Sequence, residues 1–310
     1  MLKFIVRRLL QMVLVFFGAT VILFSALFLF GNPVVNLTGG GHARTPAVIH
    51  TLEQKYSLNK PIYVQYYKYV EGIVVHFDLG TSYRQQNREV AKILPPKLAN
   101  TAKLALFAII IEIIVGLAAG IISAVFKYSF IDIIVTILTT VTIGVPVFVI
   151  GILLQEVFAL QLHWLPLFGL NDGFKSYVLP AIALASIDAA LVARLTRGSM
   201  LEVMRADYVR TATAKGLSKR VVIFKHVLRN SIIPVVTYLG ISFGTLLGGA
   251  LITENVFSLD GIGNALVTAI KANDNPIIMG VVTYGVLVFV IVNLIVDLLY
   301  AVLDPRVRLE

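Results

Sequence analysis

Four carboxylates lie inside apolar runs of this chain: Glu112, Glu156, Asp188 and Asp297. Placing such a charge at the centre of a bilayer costs about 2.5–3.5 kcal/mol on insertion scales, so each must be paired, wetted or in use. Asp188 is the best placed to face a wet cavity and attract an ammonium group. Asp297 follows Asn293 by one helical turn, which suits a structural hydrogen bond, and Glu156 falls near the end of its run, within reach of water. Other chemistries lack their parts. The five histidines, at positions 42, 50, 76, 163 and 226, show no metal-ligand spacing. Cysteine is absent, which removes thiolate chemistry and disulfides. No pattern sets a serine beside a base. No Gly-x-x-x-x-Gly-Lys-Ser/Thr loop occurs, so the chain brings no phosphate cradle for ATP.

The frame that must hold these groups is set by composition. The 310 residues are 58% apolar and 14% charged, against about 45–50% and 25% in ordinary soluble domains. A soluble fold of this size could not hide so much apolar surface, and the excess faces lipid. A helix needs about 20 mainly apolar residues to cross the hydrocarbon core. Six stretches qualify, at 9–30, 102–126, 133–160, 178–192, 232–253 and 277–302. The expected fold is an all-α membrane protein of six transmembrane helices. Lys3, Arg7 and Arg8 before the first run resemble a signal-peptide flank, but the run is about twice a 7–15-residue signal core and no small-residue cleavage site closes it. It reads as a retained helix. Gly144 and Pro146 should bend the third span by removing a backbone hydrogen bond. Gly240, Gly244 and Gly248 share one face of the fifth span, and Gly116 and Gly120 one face of the second. Such faces suit close helix packing or a surface that slides along a pathway.

The polar stretch 31–101 holds Tyr56, Tyr63, Tyr66, Tyr67 and Tyr69 among mixed charges and should form a small structured element outside the membrane. Within it, 61–70 has a helix-compatible apolar face with Pro61 at its start. The formal net charge is +9, but the basic residues flank apolar spans instead of building an aromatic-basic module, so no nucleic-acid partner is expected. Lys and Arg concentrate in cytoplasmic loops. With the N-terminus inside, 15 of the 26 basic residues lie inside, and the short outer loops near 161–177 and 254–275 offer only Lys175 and Lys271. Both termini are expected in the cytoplasm, with 31–101 extracytoplasmic. No 20–50-residue period and no inverted pair of interrupted helices is visible.

The inner loop 194–230 is long, charged and patterned. A helix over about 199–215 should stop at Gly216, which can take the left-handed conformation of a helix end. Ser218 can then cap a second helix reaching about Asn230. The loop could be a solvated basic face alone, or a short helix–turn–helix that seats in a groove of a cytoplasmic partner. Its details favour docking. Arg210-Thr211-Ala212, then Gly216, then His226-Val227-Leu228 resemble the EAA loop of bacterial ABC importer permeases. The stretch Asp207-Tyr208-Val209-Arg210-Thr211-Ala212-Thr213-Ala214-Lys215-Gly216-Leu217 is similar, more narrowly, to the B-type subunit of the dipeptide/oligopeptide/nickel permease family.

Further matches run the length of the chain: Phe4-Ile5-Val6-Arg7-Arg8, Tyr56-Ser57-Leu58-Asn59-Lys60-Pro61, Asp78-Leu79-Gly80-Thr81-Ser82, Trp164-Leu165-Pro166, Ala193-Arg194-Leu195-Thr196-Arg197, Glu254-Asn255-Val256-Phe257 and Asp304-Pro305-Arg306. Departures are Arg210 and Arg229, where the general EAA pattern has Glu and Pro, and Asp260, where the family often has Pro. The resemblance implies an ABC importer type I permease fold: helix 1 over 1–30, the extracytoplasmic region 31–101, and a core over 102–310 with five helices and the coupling loop. It implies a multi-pass permease of the bacterial cytoplasmic membrane that moves di- or oligopeptides by alternating access. Implied partners are a second homologous permease in a heterodimer, two ATPase subunits that bind ATP and Mg, and an extracytoplasmic substrate-binding protein. No cofactor and no catalytic residue are implied for this chain. Coupling would fall to Asp207, Tyr208, Arg210, Thr211, Ala212, Ala214, Lys215, Gly216 and Leu217. Nickel or another small solute within the family, or an ion-coupled secondary transporter using Glu112 or Asp188, stay open at this point.

Overall fold

In the bilayer core no water is present to bond backbone N–H and C=O groups, so apolar runs of this length satisfy those groups internally as helices. The computed structural model describes residues 2–30, 59–76, 78–85 and 88–303, with side chains over 7–27, 59–76, 78–85 and 88–295. The motif residues Tyr56, Ser57, Leu58, Asp304, Pro305 and Arg306, His42 and His50, and the side chain of Asp297 lie outside these. The described residues are helical apart from turns and one isolated bridge between Thr81 and Glu89. In chain order the helices are α1 (Leu2–Phe30), α2 (Ile62–His76), α3 (Val90–Ile111), α4 (Leu117–Val125), α5 (Phe130–Gly144), α6 (Val147–Leu154), α7 (Lys175–Val203), α8 (Asp207–Ala214), α9 (Ile233–Leu247), α10 (Leu251–Val256), α11 (Ile262–Ala272) and α12 (Asn275–Leu303). A three-part helical stretch, Lys219–Val221, Val222–Leu228 and Arg229–Ser231, precedes α9.

Four helical stretches are long and apolar enough to cross a membrane, namely Arg7–Leu27, Val90–Val125, Lys175–Val203 and Asn275–Ile295; the count is six if each of two bent pairs forms one span. The bend at Gly144-Val145-Pro146 is larger than a kink. α5 and the helix over Val147–Gln161 meet at 103°. Val145 is extended (φ −97°, ψ 126°), as a residue before proline prefers, and the helix ends instead of bending. The expected short fourth span is in fact the 29-residue α7, which runs past the apolar stretch into the charged one. The fifth span stops at Leu247, because Gly248 and Gly249 break it before Thr253; Gly249 has φ +113°.

The chain divides into two compact units, Met1–Asn100 with Asp260–Val290 and Thr101–Leu259 with Ile291–Glu310. In the first, Val90, Ile93, Leu94, Ile262, Ile277 and Val281 form the core. Tyr66 and Tyr69 of α2 pack edgewise or tilted on Phe24 at 5.6 and 6.1 Å. The Tyr66 and Thr20 hydroxyls bond at 3.0 Å, and the Tyr69 and Thr283 hydroxyls at 2.7 Å. Burial pushes the Tyr69 phenol up to about 12. Asp274, buried, accepts from Ser82 Oγ and from the Tyr83 amide (3.0 Å), so the loop after α2 is tied to the turn before α12.

In the second unit α7 is the central strut. Gly116 and Gly120 press against it: a Cβ on Gly120 would lie 2.6 Å from the Ala193 carbonyl oxygen, and one on Gly116 2.6 Å from Val192 Cγ1. That contact is the close packing the small residues foretold. A second cluster around Leu104, Tyr177, Leu179, Phe257 and Leu259 fills the other end of α7.

Candidate functional site

The patterned loop is built from the end of α7. The expected helix over 199–215 is two helices. α7 runs to Val203, the turn 204–206 closes on Met200, Glu202 and Val203 carbonyls (2.9–3.1 Å), and α8 restarts at Asp207. Val209 and Ala212 occupy one face of α8 and bury against Met200, Ala124, Val222, Ile223 and Val227. This apolar contact, not helix propensity, sets the new direction of the chain at Ala206 (φ −67°, ψ 144°).

Gly216 ends α8 at φ +78°. Its amide donates to the Thr213 carbonyl (3.0 Å) and the Leu217 amide to that of Ala212 (3.4 Å), the paired bonds of a left-handed helix stop. Ser218 stands at the next N-cap with extended backbone, but its side chain makes no capping bond; its carbonyl takes the Val222 amide instead (3.0 Å). The second helix then passes through a π-helical segment, Val222–Leu228, and reaches Ser231.

Of the nine loop residues singled out, Asp207, Tyr208, Arg210, Thr211, Ala214, Lys215, Gly216 and Leu217 are exposed, whereas Ala212 is buried in the loop's own core. Asp207 and Arg210 approach to only 3.7 Å and are almost fully solvated, so their attraction is weak. The Asn230 amide donates to Tyr208 Oη (3.0 Å) and holds the two limbs of the loop together.

Arg197 connects this loop to the helices. Its Nε and Nη2 donate to Asp132 Oδ1 and Oδ2 at 2.7 and 2.8 Å. Asp132 is 3% exposed and also accepts from Ser123 Oγ and the Tyr128 amide (2.8 Å). The pair joins α4, α5 and α7 at one end. Arg194 reaches Thr139 and Thr140 of α5 from one turn earlier. The charge pattern assigns both arginines to the inner loop, whereas both belong to α7.

The carboxylates sort by environment. Glu112 is fully buried at the start of a π-helical turn, Glu112–Gly116, with Oε2 accepting from Ser242 Oγ (2.9 Å) and no partner on Oε1. Asp188 is half-buried and accepts from Tyr238 Oη. Tyr238 and Ser242 are one turn apart on α9, so both acids meet the same face of that helix. Glu156 is exposed and accepts from Gln161 (3.1 Å). Glu254, read only as part of a motif, is fully buried and accepts from Thr101 Oγ1 (2.8 Å). Of the three glycines on α9, Gly244 is packed against Val292, where a Cβ would meet Cγ1 at 2.9 Å; Gly240 is half-buried and Gly248 caps the helix end. Among the described residues no group of His, Cys, Asp and Glu could hold a metal ion.

Two family models cover nearly all of the chain: the binding-protein-dependent transport system inner membrane component over residues 116–309, and the N-terminal part of such a membrane component over residues 1–105. The chain belongs to that family. Relatives include the dipeptide transport system permease protein DppB of Alkalihalophilus pseudofirmus, 39% identical with 99% of this chain and 100% of that protein covered. The glutathione transport system permease protein GsiC of Escherichia coli K12 is 36% identical, with 99% of each chain covered. Among solved structures, an inward-facing form of the MetNI methionine ABC transporter matches with a TM-score of 0.57 at 14% identity, over 69% of this chain and 97% of that one, a likeness of fold. As a member of the family this chain is a multi-pass permease subunit of an ABC importer in the cytoplasmic membrane. Hydrolysis of ATP falls to a separate subunit, and a substrate-binding protein serves the complex.

Proposed function

We propose that this permease carries di- or oligopeptides inward, and that the turn from α8 through Gly216 is the handle by which an ATPase subunit moves it. The dipeptide and glutathione relatives support the substrate class. The observation that carries the mechanism is the combination of an exposed α8–Gly216 turn with a buried root. Force applied at Asp207, Tyr208, Arg210, Thr211, Ala214, Lys215 and Leu217 would reach Val209 and Ala212 and pass through their apolar contact to Met200 in α7. Arg197 passes it to α4 and α5 through Asp132.

The complex would hold a second homologous permease as heterodimer partner and two ATPase subunits binding ATP and Mg, with both termini of this chain in the cytoplasm. ATP binding would draw the ATPase pair together and rock the helices as rigid bodies to an outward-facing state, and hydrolysis would reset them. Gly240, Gly244 and Gly248 would let α9 pack closely at the pathway. Asp188, held by Tyr238, is the charge best suited to meet a peptide ammonium group. Uptake of a labelled dipeptide by proteoliposomes containing the complete complex tests the reading. ATP-dependent accumulation is expected, competed by unlabelled di- and tripeptides; uptake driven by an ion gradient in this chain alone would overturn it.

A further inference from the structure

A groove of about 610 Å³ opens between α8 and the helical stretch leading into α9. Its polar side carries Tyr208, Lys225, His226, Arg229 and Asn230. Lys225 and Arg229, one turn apart, are exposed, and neither meets a carboxylate among the described residues. Tyr208 Oη accepts from Asn230, which leaves its own proton free to donate into the groove. Its other side is apolar, with Ile233 and Val236 in the first turn of α9. The helix bends by 51° where the charged stretch ends and the apolar span begins. A basic rim against an apolar wall, at the mouth of a membrane span, matches a molecule with an anionic head and a hydrocarbon body.

We infer that this groove binds the phosphodiester head group of an anionic phospholipid from the cytoplasmic leaflet, with Lys225 and Arg229 on the phosphate and the acyl chains along Ile233 and Val236. The inference rests on the membrane orientation given under Proposed function. Two net positive charges meet one negative phosphate, and the apolar wall adds burial that a free anion would not gain.

The test uses the complete complex extracted from membranes containing phosphatidylglycerol and phosphatidylcholine, with retained lipid counted by native mass spectrometry. Wild type is expected to keep phosphatidylglycerol over phosphatidylcholine. Since each basic residue near a membrane surface is worth roughly fivefold in anionic-lipid affinity, the double variant K225Q/R229Q should lose at least about tenfold of that preference. Equal retention by the two proteins would overturn the assignment. Complete displacement by inorganic phosphate would make the groove a free-anion site, and retention only after the ATPase subunits are stripped would make it their seat; either outcome also overturns the lipid assignment. Because the chain has no cysteine of its own, labelling of Lys225→Cys in sealed vesicles separates the two claims. Reaction from the outer side would sink the orientation, whereas loss of lipid preference with inner-side labelling bears on the groove alone.

Discussion

At the scale of single residues, the strongest claims concern Gly216 and Asp132. A side chain at Gly216 must sit at φ +78°, where an L-residue pays about 1–2 kcal/mol. No atom lies within 4 Å of its Cβ position, so the effect is conformational and not steric. Gly216→Val should therefore leave membrane insertion intact while lowering ATP-driven uptake at least about tenfold, whereas Gly216→Asn, which tolerates the left-handed region, should retain most of it. Vesicle uptake normalised to complex content separates the two. Asp132→Ala strands the Arg197 guanidinium; because Arg197 is 31% exposed, the loss should fall at or below the lower end of the ~3–5 kcal/mol seen for fully buried pairs. A lowered melting temperature that the swap D132R/R197D partly restores is the expected result. None of these pairings was legible in the chain as written. Asp132 and Arg197 are 65 positions apart and Thr101 and Glu254 153 apart, and a single sequence holds no sign that such residues meet.

At the scale of elements, helix contacts set by small residues give the sharpest expectations. Gly120→Leu must force α4 from α7, since even a Cβ would lie 2.6 Å from backbone, and should cost about 1–3 kcal/mol or block assembly. Gly198→Ala, on α7 with open space around it, should be neutral or stabilising by up to about 1 kcal/mol. Thermal unfolding of the purified complex checks both. The apolar runs announced the helices because lipid leaves the backbone no alternative, and Gly216 announced the end of α8 because its conformation is local. The break at 204–206 was hidden, since Leu201, Glu202, Met204 and Arg205 all favour helix and only the burial of Val209 and Ala212 turns the chain. The Gly144-Val145-Pro146 sequence predicts a bend, and the structure makes it a full break of 103°. Whether a proline kinks or ends a helix depends on what α5 and α6 pack against, here α7, which touches both and is bonded to α5 by Arg194 and Arg197.

At the scale of the whole molecule, the chain is a membrane permease whose ATP is hydrolysed by a separate subunit, and the α8–Gly216 turn is the handle we propose for it. Its carboxylates are mostly tied down: Glu112 to Ser242, Asp188 to Tyr238 and Glu254 to Thr101. An ion relay needs acids that can exchange partners with water, and fully buried Glu112 and Glu254 lack that access. The proposed coupling role therefore rests on the exposed turn beyond α8. The most direct measurement replaces residues 207–218 with a flexible linker of equal length and follows both ATP hydrolysis and labelled dipeptide uptake in proteoliposomes of the complete complex. Uptake is expected to fall to background while the subunits still insert and any remaining hydrolysis no longer responds to substrate-binding protein. Uptake at the wild-type rate with that segment gone would contradict the coupling role directly.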